Sequence, residues 1–263
     1  MTTLRTRRAP PPFRLVWVAQ VAPRGTRLVR VTLTGQELDG FDIGLPASSV
    51  RLLVPRGSDE VVLPAWNGNE FLYDDGTRPA IRTLTPLRFD PATRELDVEV
   101  VLHGHGPLSA WAGAARSGDR AAISGTGRGY DIDPTAGAFL IAGDESALPA
   151  ITLLLDALPA ECDVRVLLEV AGDDAHVDLP SRRRTTVQWS TLAAHARPGD
   201  ALVAAVTAAT IDPDVRVWAA GEAAAVHRIR RHLFEERGLP RTHAVIRGYW
   251  KYGRESTAGD SDA

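Results

Sequence analysis

The sequence predicts an antiparallel β-barrel followed by an open α/β sheet with parallel strands, and three observations predict it. Six short segments rich in Val, Leu and Thr fill the first half with no helical pattern between them. From near Pro134 onward, strand and helix patterns alternate. The strands of that second half are unbroken apolar runs, as expected of strands covered on both faces.

The six segments are FRLVWVAQVA, RLVRVTLTG, SVRLLVP, AIRTLTPLRF, ELDVEVVLH and DRAAISG, several of them alternating, bounded by Gly, Pro and Asp. Closing them into a six-stranded barrel removes the edges they would otherwise expose. In the second half AFLIAG is followed by ALPAITLLLDAL at helical spacing. Then come DVRVLLEVA, a shorter RTTVQWS, a helical ALVAAVTAAT, DVRVWAAG and the helix EAAAVHRIRRHLFEERG. That last helix carries Val226, Ile229, Leu233 and Phe234 on one face. Glu222 sits in its first turn and Arg237 in its last, and Gly238 and Pro240 stop it. The expected division is a flexible arm (1–12), the barrel (13–133), the α/β unit (134–253) and a polar, disordered tail (254–263).

Composition narrows the function. A hydrophobic fraction of 44% and a charged fraction of 24% are those of a globular protein with ample core. The formal charge of −3 argues against a nucleic-acid partner, which usually draws a basic excess. No apolar run approaches the roughly 18–20 residues of a membrane span. The opening MTTLRTRRAPPPF is basic, but three prolines stand where an export signal needs an apolar helix, so a cytoplasmic protein is expected. Cys162 is the only cysteine, which excludes an internal disulfide, a thiolate zinc cluster and an iron–sulfur centre. Electron chemistry, if present, needs an organic cofactor.

Four stretches carry candidate chemistry. In AIRTLTPLRFD, Arg82 and Leu84 share a strand face and Thr85 ends the strand against Pro86. An Arg fork suits phosphate oxygens and a Thr hydroxyl suits a ring nitrogen, while the bland alternative is an outward Arg on a barrel strand. VLHGHGPLSAWA (101–112) has two glycines, a proline and Ser109 opening a helix, a turn able to cradle phosphate. Its His103 and His105 lack the companion ligands of a metal site, and none is expected. Trp111, taken alone, reads as core more readily than as a base-stacking platform. LIAGDESALPA (140–150) lies between the first sheet strand and its helix, where an open parallel sheet binds ligands; without G-x-G-x-x-G, a simple capped turn is the alternative. WAAGE (218–222) opens another strand end onto a helix, and RGYWKYG (247–253) either covers a flat cofactor or closes a core.

The four stretches, in this order and spacing, resemble the siderophore-interacting proteins, flavin-dependent ferric-siderophore reductases related to the ferredoxin reductases. The similarity spans residues 13–253 and rests on VLHGHGPLSAWA, AGDESALPAI, VWAAGE and GYW-x-YG. It implies FAD on the barrel and NADH or NADPH on a Rossmann-like sheet. The family's Arg-x-Tyr-Thr motif lies over Arg82, Thr83, Leu84 and Thr85. Arg82 would then hold the FAD diphosphate, and Thr85, the candidate catalytic residue, would approach flavin N5. Val101, Leu102 and His103 would line the ring and ribityl chain. Gly106, Leu108 and Ser109 would bind the diphosphate, with Trp111 near the adenine. Asp144, Glu145, Ala147 and Leu148 would edge the nicotinamide pocket, facing Gly221 and Glu222, and Tyr249 and Trp250 would cover the cofactor. Two departures stand out. Leu84 replaces the motif's aromatic ring, a contact worth about 0.5–1.5 kcal/mol, and GTGRGY (125–130) lacks the family's proline before Arg-Gly.

The resemblance implies electron flow from NAD(P)H through FAD to a ferric siderophore, with release of Fe(II). Arg88, Arg128 and Lys251 are the candidates to line the approach of an anionic chelate. Two other readings stay open: a family member repurposed in biosynthesis as cyclase, isomerase or accessory reductase, and a siderophore-binding module without catalysis. The acidic end of EVAGDDAHVD favours NADH and the run Arg182–Arg184 favours NADPH. The chain is expected to be a monomer or homodimer.

Overall fold

The computed structural model describes residues 10–57 and 61–253. The tail expected over 254–263 and most of the arm expected over 1–12 lie outside the described residues. The first half contains β1 (Phe13–Pro23), β2 (Leu28–Thr34), β3 (Val50–Leu53), β4 (Ala65–Trp66), β5 (Phe71–Leu72), β6 (Ile81–Leu84), β7 (Pro86–Asp90), β8 (Glu95–Val101), helix α1 (Gly106–Ala114) and β9 (Arg120–Ser124). Seven of these strands form one curled sheet in the order β6-β3-β9-β1-β2-β8-β7, and every pairing in it is antiparallel. Val16, Val18, Val31, Leu33, Leu52, Leu96, Val98 and Ile123 fill its interior and are essentially sealed from solvent. Burial of such side chains contributes about 1.5–3 kcal/mol each.

The barrel has seven strands where six were expected, and one segment accounts for the difference. AIRTLTPLRF breaks at Thr85 into β6 and β7, which pair with opposite edges of the sheet, β6 with β3 and β7 with β8. Pro86 has no N–H to give a ladder, and the register shifts between Pro86 and Arg88. A single bent segment therefore supplies both edges, with buried Thr85 at the corner. The small β4–β5 hairpin was not foreseen; Phe71 and Trp66 pack there with Leu53 and Ile81.

The second half contains β10 (Ala138–Asp144), α2 (Leu148–Ala157), β11 (Asp163–Val170), β12 (Thr185–Thr191), α3 (Asp200–Ala208), β13 (Arg216–Glu222), α4 (Ala223–Arg231) and β14 (Ala244–Trp250). A π-helical turn, His232–Glu236, extends α4. The strands pair in parallel in the order β12-β11-β10-β13-β14. Alternate residues of β10 explain its apolar run: Phe139 and Ile141 meet α2, whereas Leu140 and Ala142 meet α3 and α4. The strand order reverses between β10 and β13, so the crevice for ligands lies at their carboxyl ends, by Asp144 and Glu222. The fifth strand, β14, was unforeseen, because Arg247 and Gly248 interrupt its apolar run.

The two halves are firmly joined. Ala47 and Tyr130 enter the same buried cluster as Phe139, Ile151 and Trp218. From β14, the Arg247 guanidinium donates to the carbonyls of Ala47 (3.1 Å), Arg128 (3.2 Å) and Gly129 (2.8 Å).

Candidate cofactor site

At the barrel mouth, β6 and the loop between β8 and α1 come together. Leu84, Leu102, Leu108 and Trp111 pack against one small cluster, Val29, Val100 and Ala112. Trp111 thus lies among the barrel-end apolar groups. Arg82 shares the face of Leu84, opposite Leu52 of β3, and Thr83 is exposed on the other face. Val101 ends β8, and the chain then turns through Gly104 and Gly106, both at positive φ (+78° and +72°). No protein atom lies within 4 Å of where a Cβ would stand on either, so these glycines serve the turn and leave open space above it. Ser109 is buried, and its Oγ accepts the N–H groups of His103 (3.1 Å) and Gly104 (3.3 Å), fixing the loop. Burial first, then His105 and Arg27, hold the His103 imidazole below its usual pKa, which favours the neutral ring.

The N-terminus of α1 is the open anion-binding feature of this mouth. No side chain caps it, Pro107 stands in its first turn, and that turn holds no acid. Unmatched N–H groups and the positive end of the helix dipole face an open glycine turn. The donor set fits a diphosphate; Arg82, whose Nη1 donates to Ile81 O at 2.9 Å, stands on β6 at the same mouth.

The carboxyl end of the second sheet is built differently. Asp144, at the end of β10, is buried and accepts four donors. Its Oδ1 takes Ser146 N (2.9 Å) and Oγ (2.5 Å), and its Oδ2 takes Glu222 N (2.9 Å) and Trp250 Nε1 (2.8 Å). Burial raises its pKa, while these donors pull it back down. Gly221 (φ +153°) passes so close that a Cβ there would stand 2.5 Å from Asp144 Oδ2. Glu222 is buried, its Oε2 capping α4 at Ala225 N (2.8 Å) and its Oε1 accepting Tyr252 N (3.1 Å). Glu145 reaches the barrel, where Arg27 Nε and Nη2 bind its carboxylate at 3.0 Å each, and it also accepts Ala171 N (2.8 Å). Ala147 and Leu148 are buried at the start of α2.

Tyr249 joins the two ends. Its phenol lies beside Thr85 at the barrel corner, its ring meets Trp218 edge-on, and burial pushes its pKa up to about 12. The structure therefore brings Thr85, Tyr249, Trp250, Asp144 and Glu222 into one connected set. Arg88 is drawn away: its Nε binds buried Asp97 (3.1 Å), which raises the arginine's pKa. Arg128 and Lys251 are exposed.

The arginine run sits at the wrong end for a nucleotide. Arg182–Arg184 precede β12, at the amino edge of the sheet. Arg182 donates to the carbonyls of Leu155, Leu158 and Pro159 at 2.6–2.8 Å, closing the end of α2, and Arg184 pairs with Asp163 at 2.7 Å. Sequence reasoning also missed Arg27, Arg247 and Glu169. An acid inside the apolar carboxyl half of β11 was the available signal for Glu169; its buried carboxylate accepts Gly199 N (2.5 Å) and Leu202 N (2.9 Å) at the head of α3. Among the described residues no group of three or more His, Cys, Asp or Glu side chains is placed to hold a metal, and no helix is long and apolar enough to cross a membrane.

A barrel with an uncapped helix head at its mouth, ion-paired through Arg27 and Glu145 to the switch point of a parallel sheet, is the build of a flavin-dependent reductase. The chain belongs to the siderophore-interacting protein family. Residues 16–130 match the siderophore-interacting FAD-binding domain and residues 136–253 the siderophore-interacting protein domain. FAD is the cofactor of the barrel. A siderophore utilization protein from T. fusca is 33% identical and superposes with a TM-score of 0.81, over 94% of this chain and 95% of that one. The ferric vibriobactin reductase of Vibrio cholerae is 28% identical over 88% of this chain and 86% of its own. The NADPH-dependent ferric-chelate reductase of Escherichia coli is 28% identical, covering 90% and 92%.

Proposed function

We infer that this chain passes electrons from NAD(P)H to a ferric siderophore, one dihydronicotinamide reducing two ferric ions and releasing one proton. The observation that carries this reading is the Arg27–Glu145 ion pair (3.0 Å), which ties the FAD-binding barrel to the strand-to-helix turn at the sheet's ligand crevice. The two reductases among its relatives support it by their names. When bound, FAD supplies the conversion from a two-electron donor to one-electron reduction of iron.

The protein's part is to bind and orient. Arg82 and the N–H groups at the head of α1 hold the diphosphate. Leu84, Val101, Leu102 and His103 line the ring and ribityl chain, with Leu84 giving apolar cover where the family motif has an aromatic. Thr85, the candidate catalytic residue, stands beside Tyr249. Glu145, gripped by Arg27, fixes the gap between barrel and sheet. Hard oxygen ligands hold Fe(II) far less well than Fe(III), so reduction alone loosens the chelate and no general acid is needed. An anionic ferric chelate is the substrate class, and Arg128 and Lys251, both exposed, are the cations proposed to guide it. The cytoplasm, where nicotinamide donors are kept reduced, is the proposed compartment.

The test is purification with FAD, a visible spectrum, and NAD(P)H-dependent reduction of ferric chelates read with a ferrous trap. A yellow protein that reduces chelates upholds the reading. A protein that takes up no FAD, or holds FAD and reduces no chelate, overturns it.

A further inference from the structure

The four helices that open near the two ligand ends fall into two kinds. The head of α1 carries no acid and no side-chain cap. Each of the three sheet-side helices meets a buried carboxylate at its head. Asp144 accepts Ser146 N in the 3-10 turn leading into α2, Glu169 accepts Gly199 N and Leu202 N at α3, and Glu222 accepts Ala225 N at α4. All three acids are 7% exposed or less. At α2 the inventory closes further, because Leu148 N turns back to Glu145 O and Pro149 has no N–H.

A helix N-terminus carries about half a positive charge, and a full carboxylate there leaves about half a negative one. A dinucleotide diphosphate normally sits at such a terminus. Here its place is filled by the protein's own anions, and even a protonated Asp144 would keep Ser146 N occupied. The nearby arginines do not compensate: Arg27 is taken by Glu145, Arg228 by Asp200 (2.7 Å) and Arg247 by barrel carbonyls. Arg182 and Arg184 lie at the opposite edge of the sheet.

Building on the NAD(P)H reading, we propose that Asp144, Glu169 and Glu222 set the donor specificity: the crevice recognises the nicotinamide half of the donor and leaves the diphosphate and adenosine in solvent. NADH, NADPH and reduced nicotinamide mononucleotide are then near-equivalent donors. The diphosphate seat of the molecule is reserved for FAD.

The experiment uses the FAD-loaded full chain and two readouts. Anaerobic bleaching of the flavin is followed with NADH, NADPH and reduced nicotinamide mononucleotide, and ADP-ribose is titrated by calorimetry. Second-order rate constants within about tenfold of one another, and no ADP-ribose binding at ~1 mM, are expected. A spread above about tenfold among the three donors, or ADP-ribose binding below ~1 mM, overturns the proposal. If none of the three bleaches the flavin, the NAD(P)H reading itself fails and takes the proposal with it.

Discussion

Replacing Trp250 by Phe keeps an aromatic ring on β14 and removes one donor, the indole N–H that reaches Asp144 Oδ2 at 2.8 Å. Asp144 is 7% exposed, so no bulk water takes the vacated position freely. A hydrogen bond to a charged group contributes about 1.5–3 kcal/mol. At about 2–4 °C per kcal/mol for a chain of this size, the flavin-free variant should melt about 3–12 °C lower at pH 7.5. The sign of the pH effect follows from burial, which raises the folded-state pKa of Asp144. With one donor fewer, that pKa rises further. The folded protein then takes up the proton before the unfolded chain does as pH falls, so acid relieves the penalty. The loss should be largest at neutral pH and shrink towards the ordinary carboxylate pKa. Paired thermal melts of parent and variant at pH 7.5 and pH 4.5 provide the measurement. A variant that melts within about 1 °C of the parent at pH 7.5, or one whose deficit grows on acidification, refutes the account of Asp144 as a buried, donor-dependent carboxylate.

Gly221→Ala should cost at least about 3 kcal/mol in chemical denaturation, since its Cβ would meet Asp144 Oδ2 at 2.5 Å on a backbone at φ +153°. The matched control Gly137→Ala, with open space around it, should stay within about 0.5 kcal/mol. Arg82→Ala should weaken FAD binding about 10- to 150-fold in a fluorescence titration, the loss of a charged diphosphate contact. Leu84→Tyr should tighten FAD by up to about tenfold, restoring a stacking contact. Arg182→Ala should destabilise the protein by about 2–4 kcal/mol through three lost carbonyl contacts and leave the NADH-to-NADPH ratio unchanged; a changed ratio would contradict its placement at the far edge.

What could be read from the sequence was whatever repeats along a strand or helix. AFLIAGD declares a strand buried on both faces, and β10 is one, at the centre of its sheet. The barrel strands were legible for the same reason, and Pro86 even marked where one of them bends, although only pairing partners reveal that the bend spans two edges. Ala65–Trp66 and Phe71–Leu72 are too short to show a period, and β14 hides behind Arg247. The residues of the mouth could be named only through the family resemblance, because a glycine turn and a strand arginine taken alone leave a bland reading open. The roles of Glu169, Arg27 and Arg247 could not, because their partners lie 33, 118 and up to 200 positions away. The arginine run was ambiguous for a related reason: residue type allows phosphate or a plain loop, while topology decides which edge of the sheet it occupies.

The bent segment from Ile81 to Asp90 has a consequence for how the protein loads and loses its flavin. The strip of chain proposed to hold the cofactor also supplies both edges of the barrel sheet, so loosening one should loosen the other. Amides on β3 and β8, far apart in sequence and on opposite seams, should slow their hydrogen exchange together when FAD arrives and quicken together when it departs.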